Sequence, residues 1–232
     1  MKIFNRNLKE LLSEVKNEFH NNEPFEHLVI DNLFNEDILR SAREEIPRTR
    51  GIVNRYSDNN QLKVAVEGEN LLQTEGNISK VLSALNSKEF VEFLNELTNI
   101  NLTPDNTFRG AGIHHIPSGG KLGIHVDFSR PKWNPNIYRR ANVLLYLNEE
   151  WEDSWGGNLE LWDNSIKNGG KCIKSVPPLF NSLVIFGTKK ESWHGHPHPL
   201  ACPQDRARQS FAAYYYSEDP GDDLEIHSTI FN

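Results

Sequence analysis

Only two cysteines, Cys172 and Cys202, occur in 232 residues. That is too few for a disulfide framework, so a reduced, cytoplasmic setting is expected. Long apolar runs are missing too. No stretch approaches the ~20 residues of a membrane helix, and no apolar signal region follows Met1-Lys2-Ile3-Phe4-Asn5-Arg6, so no membrane is expected as a partner. Positive charge is in deficit: 25 Lys and Arg stand against 32 Asp and Glu, a net charge of −7. The basic residues are dispersed apart from short pairs such as Arg139-Arg140 and Lys189-Lys190. This composition argues against nucleic acid as the main partner. Internal repeats and low-complexity tracts are absent. Hydrophobic residues make up 37% and aromatics 10%, enough for a substantial core. Nothing in the composition bears on oligomeric state.

Two textures follow one another along the chain. Leu8 to Phe19 reads as an amphipathic helix, with Leu11, Leu12, Val15 and Phe19 at helical spacing. Glu26 to Asp31 reads as a short strand. Asn35 suits a helix N-cap, with Glu36 and Asp37 in the first turn of a helix ending near Ile46, before Pro47. Residues 50–70 are polar and read as an irregular surface loop. Helices are expected at Ile78–Leu85 and Lys88–Leu97. From Phe108 short β-rich runs alternate with Gly, Pro and Asn turns: 108–116, 122–127, 141–147, 158–162, 182–186 and 211–216. Such spacing predicts a sandwich or barrel of the jelly-roll kind. The simplest organisation is one domain over residues 1–232. A largely helical support region (1–107) precedes a β-core (108–217) and a C-terminal tail (218–232).

One tripeptide stands out. His125-Val126-Asp127 is the only place where any of the nine histidines is followed two positions later by a carboxylate. On a strand, residues two apart point to the same face. A further histidine would complete the two-His, one-carboxylate facial triad of a non-heme Fe(II) oxygenase. Candidates lie in Ser192-Trp193-His194-Gly195-His196-Pro197-His198-Pro199. His194 follows an apolar strand and its turn and is the choice; His196 competes, and Pro197 and Pro199 restrict the backbone around His196 and His198, which read as exposed loop residues. Of His114 and His115, strand alternation turns one inward, toward a core or substrate-pocket role.

Such a triad leaves three coordination positions open. A bidentate 2-oxo acid can take two and dioxygen the third. A distal carboxylate on that co-substrate calls for a buried cation, best a bidentate Arg. Arg208 and Ser210 share a strand face and could clamp it. Arg206 competes as the cation but reads as a surface residue.

The chain resembles the 2-oxoglutarate/Fe(II)-dependent dioxygenase superfamily, in its prolyl-hydroxylase-like branch. The resemblance rests on His125-x-Asp127, Arg140-Ala141-Asn142-Val143-Leu144-Leu145-Tyr146-Leu147-Asn148, Trp155-Gly156-Gly157-Asn158-Leu159-Glu160-Leu161-Trp162, Phe180–Phe186, Ser192-Trp193-His194 and Arg208-x-Ser210. It covers roughly residues 108–217. It implies a double-stranded β-helix, a jelly-roll or cupin-like core with N-terminal helices. It implies Fe(II), 2-oxoglutarate and dioxygen, with ascorbate as a supporting reductant, and His125, Asp127 and His194 as iron ligands. Arg208 would anchor the distal carboxylate of 2-oxoglutarate, with Tyr146 reaching the same group. Asn142 and Ser210 would line that pocket, and Leu159 would pack beside it. Halogenating relatives lack the metal-binding carboxylate; Asp127 is present, so hydroxylation is favoured. The substrate would be a prolyl residue in a peptide, a free amino acid or another small metabolite. A non-catalytic metal-binding module is the alternative. Residues 50–75 and the basic, aromatic loop Ser129–Tyr138 would shape specificity, with Arg130, Lys132, Trp133 and Tyr138 at the substrate mouth.

Overall fold

The structure is a computed structural model that describes residues 2–48, 52–73, 75–221 and 225–232. Among the described residues, five α-helices and thirteen strands follow in chain order. The first half holds α1 (Leu8–Asn21), β1 (His27–Asp31), α2 (Glu36–Glu45), β2 (Ile52–Ser57), β3 (Gln61–Glu67), α3 (Asn70–Gln73), α4 (Asn77–Leu85) and α5 (Lys88–Thr98). Then come β4 (Thr103–Pro104), β5 (Gly112–Pro117), β6 (Lys121–Val126), β7 (Tyr138–Tyr146), β8 (Leu159–Trp162) and β9 (Cys172–Val176). The last strands are β10 (Ser182–Gly187), β11 (Trp193–His196), β12 (Ala207–Ser217) and β13 (Ile230–Phe231).

The helices start where side chains can satisfy their free backbone amides. Asn7 accepts from the amides of Lys9 and Glu10, Asn35 from Ile38 and Ser87 from Phe90. The amides at the start of α4 are met from outside: Glu45, at the end of α2, accepts from Asn77 and Ile78. A carboxylate there also suits the positive end of the helix dipole.

The strands run in the order β1-β10-β7-β12-β5-β3-β6-β11-β8-β9, all neighbours antiparallel. The sheet curls, because β8 and β9, far from β7 and β10 in that order, meet their inner faces. Tyr146, Leu159, Leu161, Val176, Val184 and Phe186 form that interior cluster. Alternate residues of the same strands face the other way. Val143, Leu145, Leu183, Ile185, Phe211 and Tyr215 pack with the helices in the larger core. This is the mainly antiparallel, jelly-roll-like architecture with N-terminal helices that the sequence predicts.

One expectation needs correction. The stretch 50–70 is a β-hairpin within the described residues (50 and 51 lie outside them): β2 pairs with β3, and β3 bridges β5 and β6. Its polar residues alternate with Leu62, Val64 and Val66, and pairing on both edges overrides the loop-like composition. The tail also contributes: within it β13 pairs with β6, Phe231 opposite His125. Residues 222–224 of that tail lie outside the described residues.

Candidate metal centre

β6 carries His125 and ends one residue before Asp127; β11 places His194 directly opposite His125. One ligand atom from each of His125, Asp127 and His194 lies within 4.8 Å of the others, the one such cluster among the described residues. His125 Nε2 is 3.5 Å from Asp127 Oδ1, and His194 Nε2 is 3.4 Å from Asp127 Oδ2. Each imidazole is turned by its other nitrogen. His125 Nδ1 lies 2.8 Å from the Gly123 carbonyl and His194 Nδ1 2.8 Å from the Ser192 carbonyl. A carbonyl only accepts, so both Nδ1 atoms carry the proton and both Nε2 lone pairs face the centre. Gly195 permits the approach of the two strands: a Cβ there would stand 2.6 Å from the Gly123 oxygen.

Asp127 is held by two partners. Arg139 donates from Nη2 to Oδ2 at 2.9 Å and Asn142 from Nδ2 to the same oxygen at 2.7 Å. Arg139 Nε also donates to Asn142 Oδ1, at 2.8 Å. The guanidinium lies 3.4 Å from the centroid of the Tyr214 ring and 4.9 Å from that of Phe128. Burial would raise the Asp127 carboxyl, but Arg139 and the two imidazoles outweigh it and hold it well below the usual range. Burial pushes the His194 imidazole down to about 4, with the neighbouring His125 adding to the shift. The donor set is therefore a carboxylate and two imidazoles whose Nε2 atoms face it, the ligand types that suit a divalent iron.

Beside it lies a second cluster. Arg208 donates from Nε to the Gly157 carbonyl at 2.7 Å and from Nη2 to the Tyr146 hydroxyl at 3.0 Å. Burial raises the Tyr146 phenol, against the pull of Arg208, so its own hydrogen remains available to donate. Gly157 is required: its φ is +78°, and a Cβ would lie 2.5 Å from Leu200 Cδ2 and 3.1 Å from Arg208 Cδ. Ser210 Oγ and both ring nitrogens of His196 are buried without a partner. Burial, with Arg208 nearby, pushes His196 well below its ordinary value, so it is neutral. Arg208 and His196 line one cavity of about 60 Å³ with the metal cluster; with the Tyr146 phenol bonded to Arg208 and the orphaned Ser210 and His196 atoms, they fit a carboxylate-bearing co-substrate.

The structure also separates residues that the sequence could not. His114 lines the cavity and donates through Nε2 to the Gly110 carbonyl at 3.0 Å, whereas His115 faces away and meets Gln209. Since that carbonyl accepts, His114 Nε2 is the protonated nitrogen. Arg206 is partly buried outside the cavity, bonded to the Glu149 carbonyl and stacked on Trp155. His198 is exposed, but His196 is buried on β11, two positions from His194 and on its face; that spacing was the available signal. Asn142 lines the cavity, but its amide serves Asp127 and Arg139.

Three contributors were missed. Lys63 on β3 reaches the cavity with no ion pair, near the Tyr56 ring; burial pushes its ammonium down to about 8, against Asp127 and Glu67. Phe231 lies 5.2 Å from the His125 ring. Arg139 is buried by a β-bulge: on β12, Tyr215 pairs with Ala141 and Tyr216 with Arg139, skipping Arg140. That extra residue reverses the alternation and turns Arg139 to the inner face with Asn142.

Residues 111–216 match the family model of the 2OG-Fe(II) oxygenase superfamily. The chain is 29% identical over 174 residues to "Prolyl 3-hydroxylase OGFOD1" of Xenopus laevis. That alignment covers 74% of this chain and 31% of the relative, so the chain spans about a third of the curated protein it matches. Its fold is similar to a prolyl hydroxylase from Trichoplax adhaerens solved with a hypoxia inducible factor peptide fragment (TM-score 0.62, 17% identity, 91% of each chain covered). It is equally similar to SnoN, an alpha-ketoglutarate dependent epimerase from nogalamycin biosynthesis (TM-score 0.62, 10% identity, 97% of each chain covered). Likenesses at these identities establish the shared fold.

Proposed function

We propose, from the premise that this chain is a 2OG-Fe(II) oxygenase of the prolyl-hydroxylase-like kind, that it hydroxylates a prolyl side chain within a peptide. 2-Oxoglutarate and dioxygen are consumed; succinate, carbon dioxide and the hydroxylated product leave, one oxygen atom going to each of succinate and product. Iron held at this centre would supply the redox chemistry that lets dioxygen act as the oxidant.

The chain's own residues bind and orient. His125, Asp127 and His194 would hold the metal through Nε2, a carboxylate oxygen and Nε2. Arg139 and Asn142 keep Asp127 ionised and fix its rotamer, so that one oxygen remains directed at the imidazoles. Arg208 would receive the distal carboxylate of 2-oxoglutarate, with the Tyr146 hydroxyl donating beside it and Ser210 and His196 completing the shell. Leu144, Leu159 and Phe186 line the same cavity and keep it dry around the reacting groups.

The observation that carries the reading is that Arg208, bonded to Tyr146, lines the same cavity as the His-Asp-His cluster. A metal-binding module without catalysis has no use for a buried, half-satisfied guanidinium beside its metal. The test is anaerobic titration with Fe(II) and then 2-oxoglutarate, followed by visible absorption. Air and proline-containing peptides are then added, and mass spectrometry looks for one added oxygen and for succinate. Iron occupancy without any 2-oxoglutarate turnover would sink the oxygenase reading. Turnover with hydroxylation of a free amino acid or another metabolite, and of no peptide, would replace the substrate class.

A further inference from the structure

A groove of about 390 Å³ lies beside the metal cavity, lined by Arg109, Phe128, Arg130, Lys132 and Trp133. Asp127 faces the centre, and the next residue, Phe128, forms the groove wall. Arg139 bridges the two sides, ion-paired to Asp127 and stacked on Phe128. The Gly110 carbonyl, on the groove side, bonds both Tyr214 and His114 of the cavity. A chain segment lying in the groove would therefore run beside the metal centre.

Its chemistry is unlike the rest of the surface. The protein carries a net charge of −7, yet three cations converge here on an apolar floor. Among the described residues none of Arg109, Arg130 and Lys132 has an ion pair. Arg109 stacks on Trp133, a residue that remains 41% exposed. Free cations around an exposed indole are the composition of an interaction hot spot for an anionic partner with some apolar surface.

We propose that this groove binds an acidic segment of a peptide substrate, flanking the residue presented to the metal. The proposal rests on the hydroxylase reading above and names the substrate class for it. Arg130 and Lys132 meet side-chain carboxylates, and Trp133 covers the apolar part of the segment. Such contacts steer and select by charge more than they add raw affinity, and salt weakens them.

Two fluorescein-labelled peptides of equal length test it, each centred on one proline, one flanked by Asp and Glu and the other by Lys. They are titrated, by anisotropy, into protein loaded anaerobically with Fe(II) and 2-oxoglutarate. The acidic peptide should bind at least about tenfold tighter at low salt, a difference of about 1.4 kcal/mol. The advantage should shrink at high salt. The double variant Arg130→Glu, Lys132→Glu should lose or reverse the preference, and Trp133→Ala should weaken the acidic peptide severalfold. The Fe(II)–2-oxoglutarate absorption band checks that each variant still folds. Equal binding of the two peptides, a preference that survives the charge reversal, or tighter binding of a single-stranded RNA oligonucleotide would each overturn the proposal. A wild-type protein with no absorption band would instead sink the oxygenase reading, while the metal-independent peptide preference would still judge the groove.

Discussion

Arg139 and Asp127 form a buried ion pair at 2.9 Å, on the oxygen that Asn142 also bonds. The pair makes the metal site tolerable before any metal arrives, because a lone carboxylate there would be desolvated and uncompensated. Arg139→Met should cost the metal-free protein about 3–5 kcal/mol. Added Mn(II) should return part of that, since the cation takes over the compensation. Thermal unfolding with and without Mn(II) checks this: the metal-induced rise in Tm should be larger in the variant than in wild type. Equal rises would mean that Arg139 does not share Asp127 with the metal.

Arg208→Ala should weaken 2-oxoglutarate by about 2–5 kcal/mol while sparing metal affinity. Tyr146→Phe removes one hydrogen bond and should cost about 0.5–1.5 kcal/mol. Anaerobic titrations of the absorption band measure both. Unchanged affinity in Arg208→Ala would move the anchor to another cation, with Lys63 the nearest candidate in the cavity.

Gly157→Ala should mimic a weakened Arg208. The new methyl meets Leu200 and the Arg208 stem, and the backbone stands at a φ that L-residues avoid. A strain of about 1–3 kcal/mol is expected. The 2-oxoglutarate Kd should rise and the metal Kd should not. A variant that loses stability alone, with 2-oxoglutarate affinity intact, would show that the glycine serves only the turn.

His194→Ala and His196→Ala should separate cleanly. The first should abolish stoichiometric metal binding; the second should keep it and weaken 2-oxoglutarate. Metal titration by mass spectrometry under native conditions reads the difference, and the reverse pattern would exchange their roles.

The buried histidines predict how stability depends on pH. Burial, with Lys63 nearby, pushes His114 down to about 3 from an ordinary 6.5. Its neutral form is favoured by folding, so the unfolded chain binds the proton first. The contribution of His114 is complete above about pH 6.5 and falls away as pH drops toward 3. The urea midpoint of metal-free protein should fall steadily over that window, and His114→Gln should flatten the slope. A slope unchanged by that substitution would assign the effect to other groups.

Much of this was legible in the sequence because it depends on local periodicity. The i, i+2 spacing of His125 with Asp127, of Asn142 with Tyr146 through Leu144, and of Arg208 with Ser210 describes strand faces correctly, and the N-cap Asn35 announces its helix. What stayed hidden depends on events the spacing does not record. Arg139 reads as half of a surface pair until the bulge at Arg140 turns it inward. Lys63 sits in a polar stretch whose strand character comes from pairing with β2, β5 and β6. The prolines after His196 suggest a loop, although its i, i+2 relation to His194 points it inward.

The position of β13 on β6 sets the order in which this centre can be assembled. At His125 the two edges of the strand are closed by His194 and Phe231, both far downstream in the chain. Such non-local pairings carry a large loop-closure cost and form slowly. During synthesis the metal strand therefore waits until His194 and then Phe231 have been made. Metal capture follows the pairing of these strands, and Fe(II) present during refolding would trap the finished sheet rather than nucleate it.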